Sequence, residues 1–188
     1  MKKTIAAVLA LLMLASSMCV FAENAPVLIS AKPKTFTDVT SDDWAYAEIM
    51  AMADLGIAVA DEAGKLNASN YVTIGDLSAL PEWTTKYTKP AAEKFNLANS
   101  SPEKQITRAE FVSAIVTAIN AISDYKGSSF ADVTDDAWYA KQAECAKSIG
   151  ITKGYEDGTF RGDSAVTKRE ALVMLCRTKA FLDVLSIN

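Results

Sequence analysis

Phe36-Thr37-Asp38-Val39-Thr40 returns ninety-four residues later as Phe130-Ala131-Asp132-Val133-Thr134. The agreement extends outward from these pentapeptides at equal offsets. Eight residues after each Phe stands a Trp, Trp44 and Trp138. Twelve residues after each Trp comes Gly-Ile, at Gly56-Ile57 and Gly150-Ile151. Twenty-nine after each Trp comes the Thr of a Val-Thr pair, at Val72-Thr73 and Val166-Thr167. Matches at a fixed period mark a chain built of repeated supersecondary units. The interval between the two Phe residues leaves room for one more unit. Its traces are Trp83, Asn96-Leu97 and Ile106-Thr107-Arg108-Ala109-Glu110. It lacks the Phe-x-Asp-Val opening, so three repeats with a degenerate middle one compete with two repeats and an insertion.

Each unit reads as helix, loop, helix. Asp42 and Asp136 are candidates to cap the first helix, and Trp44, Ile49, Met52 and Leu55 fall near one helical face. Gly56 and Gly150 are placed to stop that helix. In the last copy Gly154-Tyr155-Glu156-Asp157-Gly158-Thr159-Phe160 follows, a loop whose glycines suit positive φ. The second helix opens at Thr. Thr107 with Glu110, and Thr167 with Glu170, have the spacing of a capping box. Phe111, Ile115 and Ile119 then continue one apolar stripe, and Leu172 and Leu175 another. The fold class expected is mainly α: three helix-loop-helix repeats.

Composition narrows the function. Half of the 188 residues are apolar and the net charge is −4. Residues 1–22 have the form of a signal peptide: Lys2 and Lys3, an apolar run from Ile5 to Leu14, then Val20-Phe21-Ala22 before an expected cut. Met18 before Cys19 argues against lipidation there. Loss of two lysines and no acid takes the net charge to −6, which disfavours nucleic acid as a partner. No histidine is present, so Ser-His-Asp and Cys-His catalysis and His-based zinc sites are excluded. No cofactor is implied. Asp132, Asp135 and Asp136 lack the alternating ligands and distal Glu of a calcium loop. Cys145 and Cys176 either pair in an oxidising compartment or pack as small apolar residues.

Phe130-x-Asp-Val, Trp138, Gly150-Ile151, Gly154-Tyr-x-Asp-Gly-Thr-Phe160 and Val166-Thr-Lys-Arg-Glu170 closely resemble one S-layer homology repeat, and Ile106-Thr-Arg-Ala-Glu110 resembles that family's best-known stretch. The resemblance covers residues 36 to about 178. It divides the chain into a signal peptide (1–22), a linker (23–35), a first repeat (36–80), a degenerate second (81–122), a linker (123–129), a third repeat (130–178) and a C-terminal tail (179–188). It implies a pseudo-threefold α-helical bundle with grooves between repeats that hold a secondary wall polymer, often pyruvylated, or modified peptidoglycan. The role implied is non-catalytic anchoring at the cell wall or cell surface. The rival reading is a surface protein that assembles with other envelope proteins without strong polymer binding.

Two departures stand out. The first repeat has Thr73-Ile74-Gly75-Asp76 where Thr-Arg-Ala-Glu is expected, so it lacks the cation, and Gly75 weakens the helix start. The third repeat has Lys168 in place of Arg, a charge without a planar fork.

The candidate polymer-binding residues follow. Arg108 sits in a first helical turn, where the dipole mildly disfavours a cation and capping does not require one; a guanidinium there suits an anionic ligand. Lys168 is its counterpart. Trp44 and Trp138 suit either sugar stacking or the core. Asp38 and Asp132 suit either sugar hydroxyls or turns. Gly154, Tyr155 and Asp157 complete the set. Thr107, Glu110, Thr167 and Glu170 are assigned to capping.

Overall fold

The second helix of each unit begins where the repeat motif is most regular, and it is there that the chain closes on itself. In the computed structural model, which describes residues 35–78, 100–121 and 125–186, the amide of Val72 donates to the carbonyl of Val166 at 2.9 Å. Val166 donates to Ile106 at 3.0 Å, and Ile106 donates back to Val72 at 3.0 Å. The three hydrogen bonds form a closed ring, flanked by isolated antiparallel bridges at Tyr71–Thr167, Thr73–Gln105 and Thr107–Ala165. The signal segment at 1–22, most of the 23–35 linker, and Trp83 and Asn96-Leu97 lie outside the described residues.

The described residues are mainly helical: α1 (Tyr46–Asp54), α2 (Ile74–Ser78), α3 (Arg108–Ala118), α4 (Ala140–Ser148) and α5 (Lys168–Ser186). Helix starts leave backbone donors without partners inside the helix, and α2, α3 and α5 meet this need in the same way. Ile74 and Gly75 donate to the carbonyls of Lys104 and Pro102, Arg108 and Ala109 to those of Ser164 and Gly162, and Lys168 and Arg169 to those of Asn70 and Ala68. Each helix start is therefore held by the loop that precedes another. The capping boxes supply the next donors. Thr107 accepts from the Glu110 amide while Glu110 accepts from the Thr107 amide, and Thr167 with Glu170 repeats this. Thr73 and Asp76 do the same at 2.9 and 3.2 Å, so the departure at the first repeat costs it the cation but not the cap. Gly75 has its own reason, since a Cβ there would lie 3.3 Å from the Pro102 carbonyl oxygen.

α1 packs against α5, and α4 against α3. The principal helix contact of α4 thus falls outside its own repeat. α3 is buried on nearly every side from Arg108 to Val116, the pattern of a central helix rather than of one apolar stripe. A chain reversal of the Schellman type ends α1, with Ile57 donating to Met52 and Gly56 to Ala53. Ile151 with Ala146, and Gly150 with Lys147, do so for α4.

One local expectation is corrected and one open alternative is narrowed. Neither Asp42 nor Asp136 caps a helix: α1 and α4 start later, after Ala45 and Tyr139, without a side-chain cap, and it is Asp43 that accepts from the Ala45 amide at 3.0 Å. Trp44 and Trp138 are not core residues, being 64% and 52% exposed; each stands in the turn before its helix. The linker residues 125–129 are tied to the third repeat by side-chain hydrogen bonds. Tyr125 and the Ser128 amide both reach Asp135, and Ser129 reaches Glu144. Beyond residue 178, α5 continues to Ser186 with a Lys179–Asp183 ion pair one turn apart. No disulfide joins Cys145 to Cys176; the Cys145 thiol donates to the Ala121 carbonyl at 2.6 Å. Among the described residues no helix is long and apolar enough to cross a membrane.

Candidate functional site

The loop that joins α4 to α5 is built to present side chains. Asp132, in the repeat's opening, accepts from the amides of Phe160 and Arg161, both at 2.7 Å. Asp38 does the same for Leu66 and Asn67 at 2.8 and 2.7 Å. The residue after the apolar one is left-handed in both copies, Arg161 at φ 59° and Asn67 at φ 56°. A carboxylate across two consecutive amides stabilises a conformation that non-glycine residues rarely adopt. Asp38 and Asp132 thus form the loops, which accounts for them without a sugar. Gly154 is required by space and by φ: at +76°, an added Cβ would meet Phe130 at 2.6 Å and the Thr159 carbonyl at 2.8 Å.

Around this loop runs a groove of about 730 Å³. Arg108 enters it from α3, Gly154, Tyr155 and Asp157 from the loop, Glu170 from α5 and Trp44 from the turn before α1. Five of the sequence-derived candidates, Arg108, Trp44, Gly154, Tyr155 and Asp157, are therefore brought together. Lys168 lies elsewhere, on a smaller pocket of about 180 Å³ with Ile57, Leu66, Leu172 and Leu175. There it pairs with Asp76 at 3.0 Å. Trp138 and the two turn aspartates do not line the large groove.

Arg108 differs from its sequence portrait. It is 6% exposed. Nη1 donates to Glu170 at 3.2 Å and Nη2 to the Thr152 hydroxyl at 2.7 Å, while Nε finds no acceptor among the described residues. Its guanidinium lies 5.0 Å from the Tyr155 ring centroid and 5.4 Å from that of Phe160. The first-turn cation that looked unneeded is balanced by an acid sixty-two residues away.

Glu170 is the hub of this arrangement. It accepts from Arg108, from the Tyr155 hydroxyl, and from the amide and hydroxyl of Thr167. Burial by itself disfavours its charge, but these hydrogen bonds and the Arg108 charge outweigh burial and hold its carboxyl below the usual range. Burial, then the hydrogen bond to Glu170, push the Tyr155 phenol up. Arg161, not foreseen from sequence, lies over the Tyr155 ring at 4.0 Å and pairs with Asp157 at 2.8 Å. Hydrogen bonds from Thr159, then from Arg161, bring Asp157 down to about 2. Arg177 and Lys153 are two further cations of the groove that sequence reasoning missed. Neither belongs to a repeat motif, so the pattern gave no signal for them.

A family model for the S-layer homology domain matches residues 35–75 and 129–172. These two segments are S-layer homology repeats. Ile106-Thr107-Arg108-Ala109-Glu110 falls between them, outside the matched residues. Cell surface glycoprotein 1 of Acetivibrio thermocellus is 38% identical over 72 residues, covering 37% of this chain and 3% of that protein. The surface layer protein of Brevibacillus choshinensis is 27% identical over 154 residues, 79% of this chain and 13% of its own. Exoglucanase XynX of Acetivibrio thermocellus is 33% identical over 82 residues, 43% of this chain and 7% of its own. The chain therefore spans a small fraction of each of these relatives.

Proposed function

We propose that this S-layer homology protein is a non-catalytic anchor of the cell surface that holds a wall polysaccharide or modified peptidoglycan in the groove between its second and third repeats. The observation that carries the reading is the convergence of Arg108, Trp44, Gly154 and Tyr155 on one concave surface from three separated parts of the chain. Concave sites with an aromatic face and a few convergent polar groups are where proteins hold small ligands. Trp44 offers an exposed ring for a sugar face, and the cations of the groove suit acidic groups on a polymer. The relatives named surface layer protein and cell surface glycoprotein favour a surface location, in keeping with a signal segment at 1–22. The exoglucanase shares only a small part of its length with this chain, which carries no catalytic reading across.

The same proposal takes residues 81–122 as a degenerate second repeat in a pseudo-threefold unit. The ring through Val72, Ile106 and Val166 supports it, as do the three equivalent helix starts. Lys168, with Asp76 and an apolar pocket in place of Arg108 with Glu170 and Thr152, is assigned to a second and weaker groove.

The test is sedimentation of the secreted protein with purified Gram-positive walls, before and after the secondary polymer is stripped. Binding that disappears on stripping supports polymer recognition. Binding that survives stripping moves the ligand to peptidoglycan. No sedimentation with either preparation leaves the rival reading, assembly with other surface proteins.

A further inference from the structure

The two matched repeats differ where they line their grooves. At equal offsets, Thr152, Lys153 and Tyr155 beside the large groove become Ala58, Val59 and Asp61. The Asp61 carboxylate is spent within its own loop. It accepts from the amides of Ala63 and Lys65 at 2.9 Å and from the Asn67 side chain at 2.8 Å, and it does not line the smaller pocket. What surrounds that pocket of about 180 Å³ is an apolar wall in which Leu66, Val72, Phe111, Leu172 and Leu175 are buried. Among the described residues its polar side chains are Lys168 and Asp76, paired with each other at 3.0 Å. Val59 also lines it and is 61% exposed.

We propose that this pocket is a docking site for a protein partner. It takes one bulky apolar side chain, of leucine or phenylalanine size, from an extended peptide segment whose backbone meets Lys168 and Asp76. The inference goes beyond the wall-binding reading, which centres on the groove over Arg108, and it stands or falls separately. A closed apolar cavity of about 150 Å³ admits benzene, so the volume here suits a single ring or a branched alkyl group. A sugar would press hydroxyls against leucine, valine and phenylalanine side chains, and each would lose water without gaining a hydrogen bond. A peptide avoids that cost. Its side chain meets the apolar wall, and its backbone brings one donor and one acceptor per residue to one carboxylate and one ammonium. An ammonium has three donors, so Lys168 can keep Asp76 and still serve a peptide carbonyl. An anchor-sized pocket bordered by exposed apolar surface is where protein interfaces concentrate their binding energy.

The repeats thereby divide two tasks. The groove over Arg108 keeps the polar set of side chains, while the pocket beside Lys168 has exchanged it for alkyl groups. A wall ligand and a second protein can then be held by one molecule at once.

The experiment is methyl NMR of the secreted protein, with leucine, isoleucine and valine methyls labelled. The probes are N-acetyl-leucine methylamide, its alanine analogue, benzene and N-acetylglucosamine. The leucine probe should shift the methyls of Val59, Leu172 and Leu175 and bind about tenfold more tightly than the alanine probe. Benzene should shift the same methyls, and N-acetylglucosamine should leave them in place. Val59→Lys installs the other groove's residue at an exposed position; it should weaken the leucine probe about fivefold with an unchanged thermal melt. Lys168→Met should weaken the leucine probe more than benzene, because only the amide has a carbonyl to lose. N-acetylglucosamine that moves these methyls as strongly as the leucine probe makes the pocket a saccharide groove and overturns the proposal. Shifts that grow with protein concentration alone overturn it in favour of a second copy of this chain. A pocket that admits benzene but not the leucine probe, or neither of them, also overturns it.

Discussion

The Arg108 guanidinium in the first turn of α3 donates to Glu170 in the first turn of α5 at 3.2 Å, with both side chains largely shielded from water at 7% and 17% exposure. Lys168 and Asp76 stand in the same relation at 3.0 Å, but at 31% and 35% exposure. One geometry thus occurs in a dry and a wet version. Removing one partner of a buried pair leaves a charge without compensation, whereas an exposed pair is worth little. Arg108→Ala should lower stability by about 3 kcal/mol and Lys168→Ala by about 0.5 kcal/mol. Urea denaturation of the two variants checks the ranking; equal losses would contradict it.

The pH dependence follows from Glu170 and Asp76, whose carboxyls are held below their ordinary values of 4.5 and 3.8. For both, burial opposes the charge and hydrogen bonding outweighs it. The Tyr155 hydroxyl leads at Glu170 and the Thr73 amide at Asp76. A group with a depressed folded pKa contributes stability above its unfolded pKa and loses it as pH falls through the folded one. Stability should therefore decline as pH drops below about 4.5, the ordinary Glu170 value. Glu170→Gln keeps the capping geometry and should show a shallower decline. Melting temperatures between neutral pH and pH 3 measure both slopes.

Asp38 and Asp132 each accept two backbone amides at 2.7–2.8 Å. Alanine at either position strands two donors beside a left-handed residue. Each variant should lose about 1–3 kcal/mol, with the folded fraction binding walls as wild type does. An unchanged melt with weakened binding would instead make these aspartates ligand contacts.

Glycine substitutions in the loop before α5 should separate two effects. Gly158 has φ +78° and open space around a notional Cβ, so Gly158→Ala should cost about 1 kcal/mol from backbone strain alone. Gly154 adds a collision with Phe130 and the Thr159 carbonyl to a similar φ. Gly154→Ala should cost about 3 kcal/mol. Thermal unfolding of the pair tests the order, and the reverse order would sink it.

The matched repeats, the helical class and the capping boxes at Thr107 and Thr167 could be read from the amino-acid order because each depends on nearby residues; the starts of α1 and α4, which no side chain caps, could not. A Thr reaches a Glu three positions on, and a glycine ends the helix beside it, whatever the rest of the chain does. Even the departure at Thr73-Ile74-Gly75-Asp76 kept its cap, since Asp can do locally what Glu does. What Arg108 is for could not be read this way. Its spacing showed only that capping had no use for it, and a ligand looked like the remaining partner. Closure of the chain brought Glu170 and Thr152 to it, contacts 62 and 44 residues distant. The exposure of the two tryptophans and the pairing of α4 with α3 were settled by the same closure. Sequence by itself determined the units and their punctuation, because those are hydrogen bonds within a turn or two. Only the tertiary structure decided which charges are spent inside the molecule and which face the groove, because that depends on which distant first turns come to rest against each other.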